Sequence, residues 1–504
     1  INEKTSATGV TIDSVVLKDG NINANDASFN NIGSIRTIGP EIIKEFKNWG
    51  NSSTDLNWTP EPTFATGGYN VGTNTTDRNI VFRFNYKGDI VLTYKPEENG
   101  IVKIYKYNGN SWSQLGGNTI KSRTQYNSYL SSMDINGIGN RVVIGDYNYS
   151  AGTNPGDGIV RVFELQNNVW EVIGDIDGTD NSDEGFGKYV SINYSGNVIA
   201  VMGERNSFGT GDSSSQAFTR VYYYNNNIWT IVGNNLASAD VNTDLLPFRL
   251  LDYGYQDAKP IALNKNPGKN DGIRLVVGEL THDNQKGRAR VYQWNGGVWN
   301  NFSTGSWEIM SSGTWSGITN GRLGWAVAIN GEGNIVTITQ PGNFNNMMEN
   351  FDFGDSKVFI KRLNGETWDD LYEIVEPTTS NHHKRIFGWS VDINAEGNII
   401  SVSAPTFQGT PGPHVYIYKL DYSTDTYNSL KTYTFTGYSS VHKAVNSSLS
   451  GTGDRVGINS EKIYSLADSN FKSKSITISA DISGNDASFN NINLLGDISA
   501  NDAS

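Results

Sequence analysis

Apolar and polar residues alternate along much of the chain in short segments that predict β-strands. The clearest segment runs from Gly158 to Gly174 and reads Gly-Ile-Val-Arg-Val-Phe-Glu-Leu-Gln-Asn-Asn-Val-Trp-Glu-Val-Ile-Gly. Its period of two predicts two strands, and the Asn167-Asn168 pair predicts the tight turn between them. The segment is therefore a β-hairpin whose second strand carries a tryptophan.

The same hairpin recurs throughout the central part of the chain. Six copies place an aromatic residue in the second strand, at intervals of 58 to 70 residues; these are Trp112, Trp170, Trp229, Trp299, Trp368 and Tyr427. Another hairpin with an Asn-x-x-Gly-Asn turn precedes the aromatic one, most clearly from Phe186, Leu323 and Phe387. Two hairpins per repeat give four antiparallel strands, which is the unit of a β-propeller blade.

We therefore predict an all-β fold, a seven-bladed β-propeller with four antiparallel strands per blade, inserted between short fibrous β-repeat (shaft) segments. The seventh blade is a degenerate copy from Gly453 to Phe471. Eight blades remain open if residues 51–78 form one, and an open solenoid is less favoured because no capping segment is evident. The predicted domains are an N-terminal shaft repeat (1–39), a connector with room for a first strand (40–78), the propeller (79–475) and C-terminal shaft repeats (476–504).

A different repeat occupies the two ends of the chain. Residues 20–32 match residues 480–492, and a third copy begins at Gly496 after a period of 16 residues. One copy has too few apolar residues for a core, so we expect copies to stack, or several chains to intertwine in a homotrimeric shaft. A flexible linker rich in Asn, Asp and Ser is the alternative. Because the third copy is incomplete at Ser504, we expect a longer polypeptide.

These patterns resemble two known families. The end repeats, with Asp-Ala-Ser-Phe-Asn-Asn at 26–31 and 486–491, resemble the DASFNN repeats of fibre proteins from giant viruses and phages. The Phe-Gly-x-x-Val-x-Ile…Gly-Asn…Val-x-Val-Tyr pattern of residues 79–465 resembles the FG-GAP propeller repeats of integrin α-subunits. The resemblance implies a structural protein at the virion surface or otherwise extracellular. Its implied partners are other virion proteins and a host cell-surface receptor or glycan.

Many FG-GAP repeats bind calcium, but we do not expect this chain to have that site. The matching turns at Asn193, Asn330 and Asn394 keep at most one carboxylate each, whereas Ca²⁺ takes about six to eight oxygen ligands. The five histidines do not have the spacing of zinc ligands; they are His282, His382, His383, His414 and His442. We predict no metal site and no cofactor.

Composition narrows the range of partners. The chain has 504 residues, a net charge of −13 and no basic block, which argues against nucleic acid. No apolar run approaches the roughly 20 residues of a membrane helix, so we predict no membrane insertion. Cysteine is absent, which excludes a disulfide framework and thiol chemistry.

No catalytic residue is predicted. Residues 108–112 and 364–368 superficially match the Ser-x-Asp-x-Gly-x-Thr-Trp box of propeller sialidases, but both lack its aspartate. No nucleophile elbow or phosphate loop is present. We predict a non-enzymatic fibre protein whose propeller attaches to a host surface or its glycans. A purely structural spacer between fibres and a sialidase-like glycan hydrolase are the two alternatives.

The predicted connections differ in length between the two faces of the propeller. If the strands of a blade are lettered A to D from the inside outward, the A–B and C–D turns are short. The B–C and D–A connections are long and emerge on the opposite face, where binding loops usually lie. Candidate ligand contacts are the aromatic residues of the B–C connections: Tyr147, Tyr149, Phe208, Phe344, Phe351, Phe353 and Phe407. The alternative is that these side chains cover the edges of their own blades.

Overall fold

The structure is a computed structural model that describes part of the chain. The described residues are 10–12, 15–17, 23–24, 27–29, 58–60, 81–94, 101–121, 132–147, 149, 158–178, 185–205, 216–237, 259–268, 271–280, 282–296, 305–342, 356–376, 386–405, 414–421, 423–434, 447–458, 462–466, 476–477 and 492–494. The chain divides into two compact units. One unit consists of Ile1–Trp58, Asp421–Thr424 and Leu466–Ser504, and the other of Thr59–Leu420 and Asp425–Ser465.

The smaller unit contains short two-stranded ladders. Its strands are β1 (Val10–Ile12), β2 (Val15–Leu17), β3 (Asn23–Ala24), β4 (Ala27–Phe29), β35 (Ile476–Thr477) and β36 (Ile492–Leu494). β1 pairs with β2, while β3 pairs with β35 and β4 with β36, all antiparallel. The beginning and the end of the chain are thus hydrogen-bonded to each other, and the described residues of these ladders show no shaft segment.

The larger unit contains six blades of four strands each. Blade 1 is β6 (Val81–Phe84), β7 (Ile90–Tyr94), β8 (Ile101–Tyr107) and an outer strand in two pieces, β9 (Trp112–Gln114) and β10 (Ile120–Lys121). Blade 2 is β11 (Ser132–Ile135), β12 (Arg141–Asp146), β13 (Ile159–Gln166) and β14 (Val169–Asp177). Blade 3 is β15 (Tyr189–Ile192), β16 (Val198–Arg205), β17 (Gln216–Asn225) and the pieces β18 (Ile228–Ile231) and β19 (Leu236–Ala237).

The other three blades follow the same order. Blade 4 is β20 (Ile261–Leu263), β21 (Arg274–Glu279), β22 (Arg288–Trp294) and β23 (Trp307–Ser316), with a one-turn helix α1 (His282–Gln285) between β21 and β22. Blade 5 is β24 (Val327–Ile329), β25 (Ile335–Gln340), β26 (Lys357–Asn364) and β27 (Thr367–Val375). Blade 6 is β28 (Val391–Ile393), β29 (Ile399–Ala404), β30 (His414–Asp421) and β31 (Thr426–Thr434).

A composite sheet lies between blade 6 and blade 1 and closes the ring. Its strands are β32 (Ser447–Leu449), β33 (Arg455–Ile458), β34 (Lys462–Leu466) and, outermost, β5 (Trp58–Pro60) from far upstream in the chain. Each innermost strand contacts the innermost strand of the next blade, and β32 contacts both β28 and β6. The ring is therefore closed by a sheet to which the two ends of the propeller sequence both contribute.

The structure confirms an all-β propeller with four antiparallel strands per blade, but the predicted blade count is wrong. Within the described residues, consecutive strands form six blades, not seven. Within the described residues the predicted seventh unit supplies three strands, β32 to β34, and β34 pairs with β5, in the segment predicted as a connector with room for a first strand. The predicted shaft segments are not shown by the described residues either. The aromatic anchor of blade 4 also differs: β23 begins at Trp307, and Trp299 lies outside the described residues.

The core lies between the faces of neighbouring blades. Alternate residues of each strand point to opposite faces of its sheet, and both faces are covered by the adjacent blades, so the inner strands are apolar on both faces. The outer tryptophans fill the wider gaps at the rim. Trp170 of blade 2 is 2 % exposed, packs against Gly116 of blade 1 and donates its indole N–H to the carbonyl of Leu115 (3.0 Å). Gly174 of blade 2 faces Trp229 of blade 3 in the same manner, so these tryptophans pack between blades.

A buried asparagine shapes the A–B turn of most blades. In blade 5, the Asn330 side-chain oxygen accepts hydrogen bonds from the backbone N–H groups of Asn334 (2.9 Å) and Ile335 (2.8 Å). Its amide donates to the side-chain oxygen of Asn334 (2.8 Å). Equivalent bonds join Asn136 to Asn140, Asn193 to Asn197 and Asn394 to Asn398. Side-chain amides form the hydrogen bonds that hold these turns together. The turns therefore do not need the carboxylates of a calcium-binding loop.

Replacing Asn330 by alanine is expected to destabilise the propeller by about 3 kcal/mol, because two buried backbone N–H groups lose their acceptor. The urea midpoint of unfolding measures the effect. Asn364→Ala is the matched control, since Asn364 is exposed and its amide donates only to Asp369 (3.2 Å) within the described residues. Equal losses in the two variants would contradict a special role for the buried turn asparagine.

Removal of β5 is expected to weaken the composite sheet. A chain that begins at residue 62 lacks the fourth strand, so β34 becomes an unpaired edge, whereas a chain that begins at residue 53 keeps it. Hydrogen exchange measured at residues 462–466 should rise in the first chain only, together with a lower melting temperature. Identical exchange in both chains would show that β5 does not close the ring.

Candidate functional site

The axis of the propeller is lined by one position of each innermost strand. This position lies two residues before the buried residue that shapes the A–B turn, and around the ring it is occupied by Arg83, Asp134, Ser191, Ala262, Ala328, Asp392 and Ser448. In the six blades it stands between two apolar residues of its strand, which point to the neighbouring blades. These seven residues line a cavity of about 70 Å³ at the centre of the ring.

Asp134 is the most enclosed charged group of this cavity, with 1 % of its surface exposed. Its carboxylate accepts hydrogen bonds from the backbone N–H of Ile135 (2.9 Å) and of Ile192 in blade 3 (3.1 Å). The Ser191 hydroxyl also donates to it (3.3 Å), and the Lys265 ammonium forms an ion pair with it (2.8 Å). Asp134 thus joins blades 2, 3 and 4.

Asp392 of blade 6 repeats this arrangement without the lysine. It accepts hydrogen bonds from the backbone N–H of Ile393 (3.1 Å) and of Leu449 in the composite sheet (2.9 Å). The Ser448 hydroxyl donates to the same carboxylate oxygen as Leu449 (3.2 Å). Both axial carboxylates are therefore hydrogen-bonded to the next innermost strand of the ring.

Two lysines flank the innermost strand of blade 4 and reach the same cavity. Lys265 follows β20 and donates to the carboxylate of Asp134 and to the carbonyl of Ile135 (2.8 Å). Lys259 precedes β20 and is half-buried; it forms no side-chain hydrogen bond or ion pair with any described residue. Blade 4 thus contributes two lysines to the cavity, although its own axial residue is Ala262.

The charged groups on the axis alter one another's protonation. Burial alone would raise the pKa of Asp134, but Lys265, Lys259 and the hydrogen bonds hold it below its ordinary value. Burial lowers the pKa of Lys259, and Arg83 and Lys265 lower it further, while Asp392 and Asp134 oppose the shift. Desolvation of the Lys259 ammonium is therefore the main cause of its lowered pKa, and the two carboxylates offset it only in part.

The carboxylate of Asp134 is not free to act as a general acid or base. A general acid or base needs a carboxyl group that is free to exchange a proton with substrate, at a pKa near the operating pH. Asp134 instead uses its oxygens for four hydrogen bonds, and its lowered pKa keeps it ionised at neutral pH. The arrangement is suited to binding charge rather than to proton transfer.

A further buried carboxylate, Asp271, lies in the long A–B connection of blade 4. It accepts hydrogen bonds from the backbone N–H groups of Tyr194 and Ser195 (both 2.7 Å) in the turn of blade 3. The Asn193 amide also donates to it (2.8 Å). Burial raises the pKa of Asp271 in spite of these bonds. Its contacts are all to the frame, so we assign it a structural role.

Two of the predicted aromatic contacts lie within the described residues. Tyr147 and Tyr149 follow β12 and are both half-buried. The Tyr149 backbone N–H donates to the carbonyl of Asp146 (3.3 Å), and its carbonyl accepts from Gly158 (3.0 Å), which fixes the base of the blade 2 connection. The other predicted contacts lie outside the described residues; they are Phe208, Phe344, Phe351, Phe353 and Phe407.

Sequence reasoning missed the axial charges. A usable signal was present, because Met133-Asp134-Ile135 and Val391-Asp392-Ile393 place a carboxylate between two core residues of a strand. A charged residue at such a position is rarely buried without a partner. Nothing in the local pattern of Lys259 or Lys265 indicates that they reach the axis.

Among the described residues, no three His, Cys, Asp or Glu side chains cluster as metal ligands would. No helix in the same part of the chain has the length and apolar character needed to cross a membrane.

Comparison with known proteins identifies the fold only. No protein-family model matches the chain, and no curated protein matches it in sequence. Among solved structures, it is similar to a periplasmic gluconolactonase from Pseudomonas aeruginosa (11 % identity, TM-score 0.49, covering 77 % of this chain and 94 % of that one). It is also similar to the β-propeller domain of Cps50 (Swd1) from Myceliophteria thermophila (10 %, 0.42, 77 % and 96 %) and to a chain of the Mitotic Checkpoint Complex (12 %, 0.43, 82 % and 97 %). At such low identities and TM-scores, these likenesses carry no argument about function.

Asp134→Asn is expected to cost about 3 kcal/mol of unfolding free energy at neutral pH, because it leaves Lys265 without its buried partner. The folded-state pKa of Asp134 lies below its unfolded value, so its stabilisation is present above the unfolded pKa and is lost as the pH falls through the folded pKa. The difference in unfolding free energy between wild type and variant should therefore decrease below about pH 4. Chemical denaturation at a series of pH values measures it.

The control for this variant is Asp283→Asn. Asp283 is 49 % exposed and pairs with Lys286, which is 37 % exposed, and such a surface pair contributes little. A loss as large as that of Asp134→Asn, or a gap for Asp134→Asn that does not change with pH, would contradict the role assigned to Asp134.

Proposed function

We propose that this chain is a non-enzymatic fibre-type protein of a virion, which displays its propeller on the particle surface for attachment to a host. The observation that supports it most directly is the pairing of the two end segments, which carry copies of one repeat. Strands β3 and β4 from the beginning pair with β35 and β36 from the end, in one compact unit. The chain thus leaves this unit, forms the propeller and returns, as expected of a module inserted in a repeated structure.

A binding role fits the propeller better than a catalytic one. The two axial carboxylates are bonded to neighbouring strands, so the axis offers no free acid and base pair for glycoside hydrolysis. The blades form a closed frame, and the connections between the second and third strands of a blade are free to vary on it. Tyr147 and Tyr149 begin one of these connections, and their aromatic rings are suited to stacking on sugars.

The remaining parts of the proposal follow from the end repeats. Copies with few apolar residues are expected to associate with copies from other chains, so we propose a homotrimer in contact with other virion proteins. The protein would then act outside the host cell. Its ligand would be a host receptor or a surface glycan.

Attachment can be tested with the intact chain on a panel of cultured cells from candidate hosts. We expect saturable binding that decreases after enzymatic removal of surface glycans, and a native mass three times that of one chain. Absence of saturable binding, together with a monomeric mass, would contradict the proposal.

The double variant Tyr147→Ala, Tyr149→Ala is expected to weaken binding at least fivefold, because each aromatic ring that stacks on a ligand contributes about 1 kcal/mol. Ile228→Ala is the control, since Ile228 is 64 % exposed beside a short C–D turn on the opposite face. Surface plasmon resonance on immobilised cell-surface glycans measures both. Equal binding by the two variants would exclude the blade 2 connection as a contact.

A further inference from the structure

The axial cavity has an excess of positive charge. Its five charged lining residues are Arg83, Lys259, Lys265, Asp134 and Asp392, three cations against two carboxylates. Asp134 and Lys265 neutralise each other as an ion pair (2.8 Å). Arg83 and Lys259 are left with Asp392 alone, so the enclosed group carries one uncompensated positive charge. An unbalanced charge in a confined site is unfavourable unless a counter-ion joins it.

The hydrogen-bond donors of these two cations are also mostly unused. Arg83 donates from Nη1 to the carbonyl of Phe82 (2.8 Å), and its buried Nε has no partner. The Lys259 ammonium makes no hydrogen bond to the described residues, and burial lowers its pKa. Asp392 cannot fully serve both cations, because it already accepts bonds from Ile393, Leu449 and Ser448. The cavity therefore presents donors without acceptors.

The size and the walls of the cavity define what would fit. Its volume of about 70 Å³ exceeds several times the roughly 15 Å³ that a single water requires. Small residues line one side, Ala262 and Ala328 at the axial positions of blades 4 and 5, and leave room opposite Arg83. The dimensions suit the carboxylate end of a small molecule, with its body directed out of the cavity.

We propose that the propeller axis is an anion site in which Arg83 and Lys259 bind a single carboxylate group, borne either by a free small acid or by an acidic sugar. Arg83 supplies a planar pair of N–H donors, which matches the two oxygens of a carboxylate. Lys259 supplies a second positive charge, and the bound anion cancels the excess. The acidic-sugar source rests on the attachment function proposed above, whereas the anion site itself does not.

Binding should depend on pH through Lys259. Arg83, Lys265, Asp134 and Asp392 are the charged groups that face it across the cavity. Because the pKa of Lys259 is lowered, it loses its proton at a lower pH than an ordinary lysine. Affinity for a carboxylate should therefore fall as the pH rises, well before the usual lysine range.

The experiment uses the full chain and calorimetry with four probes at constant ionic strength: acetate, acetamide, glucuronate and glucose. We expect acetate and glucuronate to bind and the two neutral analogues not to bind. If glucuronate binds more tightly than acetate, the acidic sugar is the source; if the two are equal, a free small acid is. No binding of either anion beyond that of chloride would overturn the proposal.

Variants separate a binding role from a structural one. Lys259→Met is expected to reduce affinity for acetate at least tenfold and to leave the melting temperature of the unliganded protein unchanged or higher, because a half-buried ammonium without an ion-pair partner is removed. Lys286→Met is the control; Lys286 is 37 % exposed and pairs with Asp283 outside the cavity. A lower melting temperature with unchanged affinity would overturn the assignment of Lys259.

Anion binding and host attachment can fail separately. If acetate binds and Lys259→Met abolishes it, the site stands even where the intact chain does not bind cells. If the chain binds cells but no anion binds, the attachment function stands and the axial site is excluded.

Discussion

The fold depends on the inner edge of the innermost strands, where backbone N–H groups face the axis without a neighbouring strand. Buried N–H groups must find an acceptor, and here the preceding blade supplies it from a side chain. Asp134 accepts from Ile192, Ser191 from Leu263 (3.1 Å), and Asp392 from Leu449. Ser132 accepts in the same way from Val190 (3.1 Å), and Ser390 from Ser447 (3.3 Å). Small polar residues on the inner strands thus hold the ring together.

A second circle of hydrogen bonds runs through the A–B turns. The backbone N–H of Tyr86 donates to Gly137, that of Ile138 to Tyr194, and that of Gly331 to Ala395. Ala395 donates in turn to Gly451, and Thr452 to Tyr86, which closes the circle at the composite sheet. In blade 4 the turn is longer, and its place in the circle is taken by side chains, Asp271 towards blade 3 and Asn264 towards Gly331 (3.0 Å). Each blade is therefore positioned by both of its neighbours.

Because the inner strands need hydrogen-bond acceptors, only some of the polar groups on the axis remain available to bind a ligand. The carboxylates and hydroxyls accept hydrogen bonds from the backbone N–H groups of the inner strands, so these acceptors are already in use. The cations Arg83 and Lys259 take little part in this bonding and remain directed at the cavity. The hydrogen-bond acceptors at the centre of this propeller are thus in use, whereas hydrogen-bond donors remain. This favours the binding of an anion over acid and base catalysis.

The sequence by itself determined the blade. Strand alternation, the Asn-Asn and Asn-x-x-Gly-Asn turns and the aromatic residue at the rim are all local features, so four strands per blade could be predicted from them. The sequence also showed that the two ends carry one repeat. It did not show that β5 completes the last sheet, because three residues have no pattern of their own and their pairing partner lies some 400 positions away.

The tertiary structure alone decided the axial site. Asp134 and Lys265 form an ion pair only because the ring brings blades 2 and 4 to one centre, and no spacing along the chain encodes that meeting. The same holds for Arg83 and Lys259, which come from blades 1 and 4. Local periodicity determines which residue of a strand points inward, but only closure of the ring determines which of the inward residues meet, since closure fixes the distances across the axis.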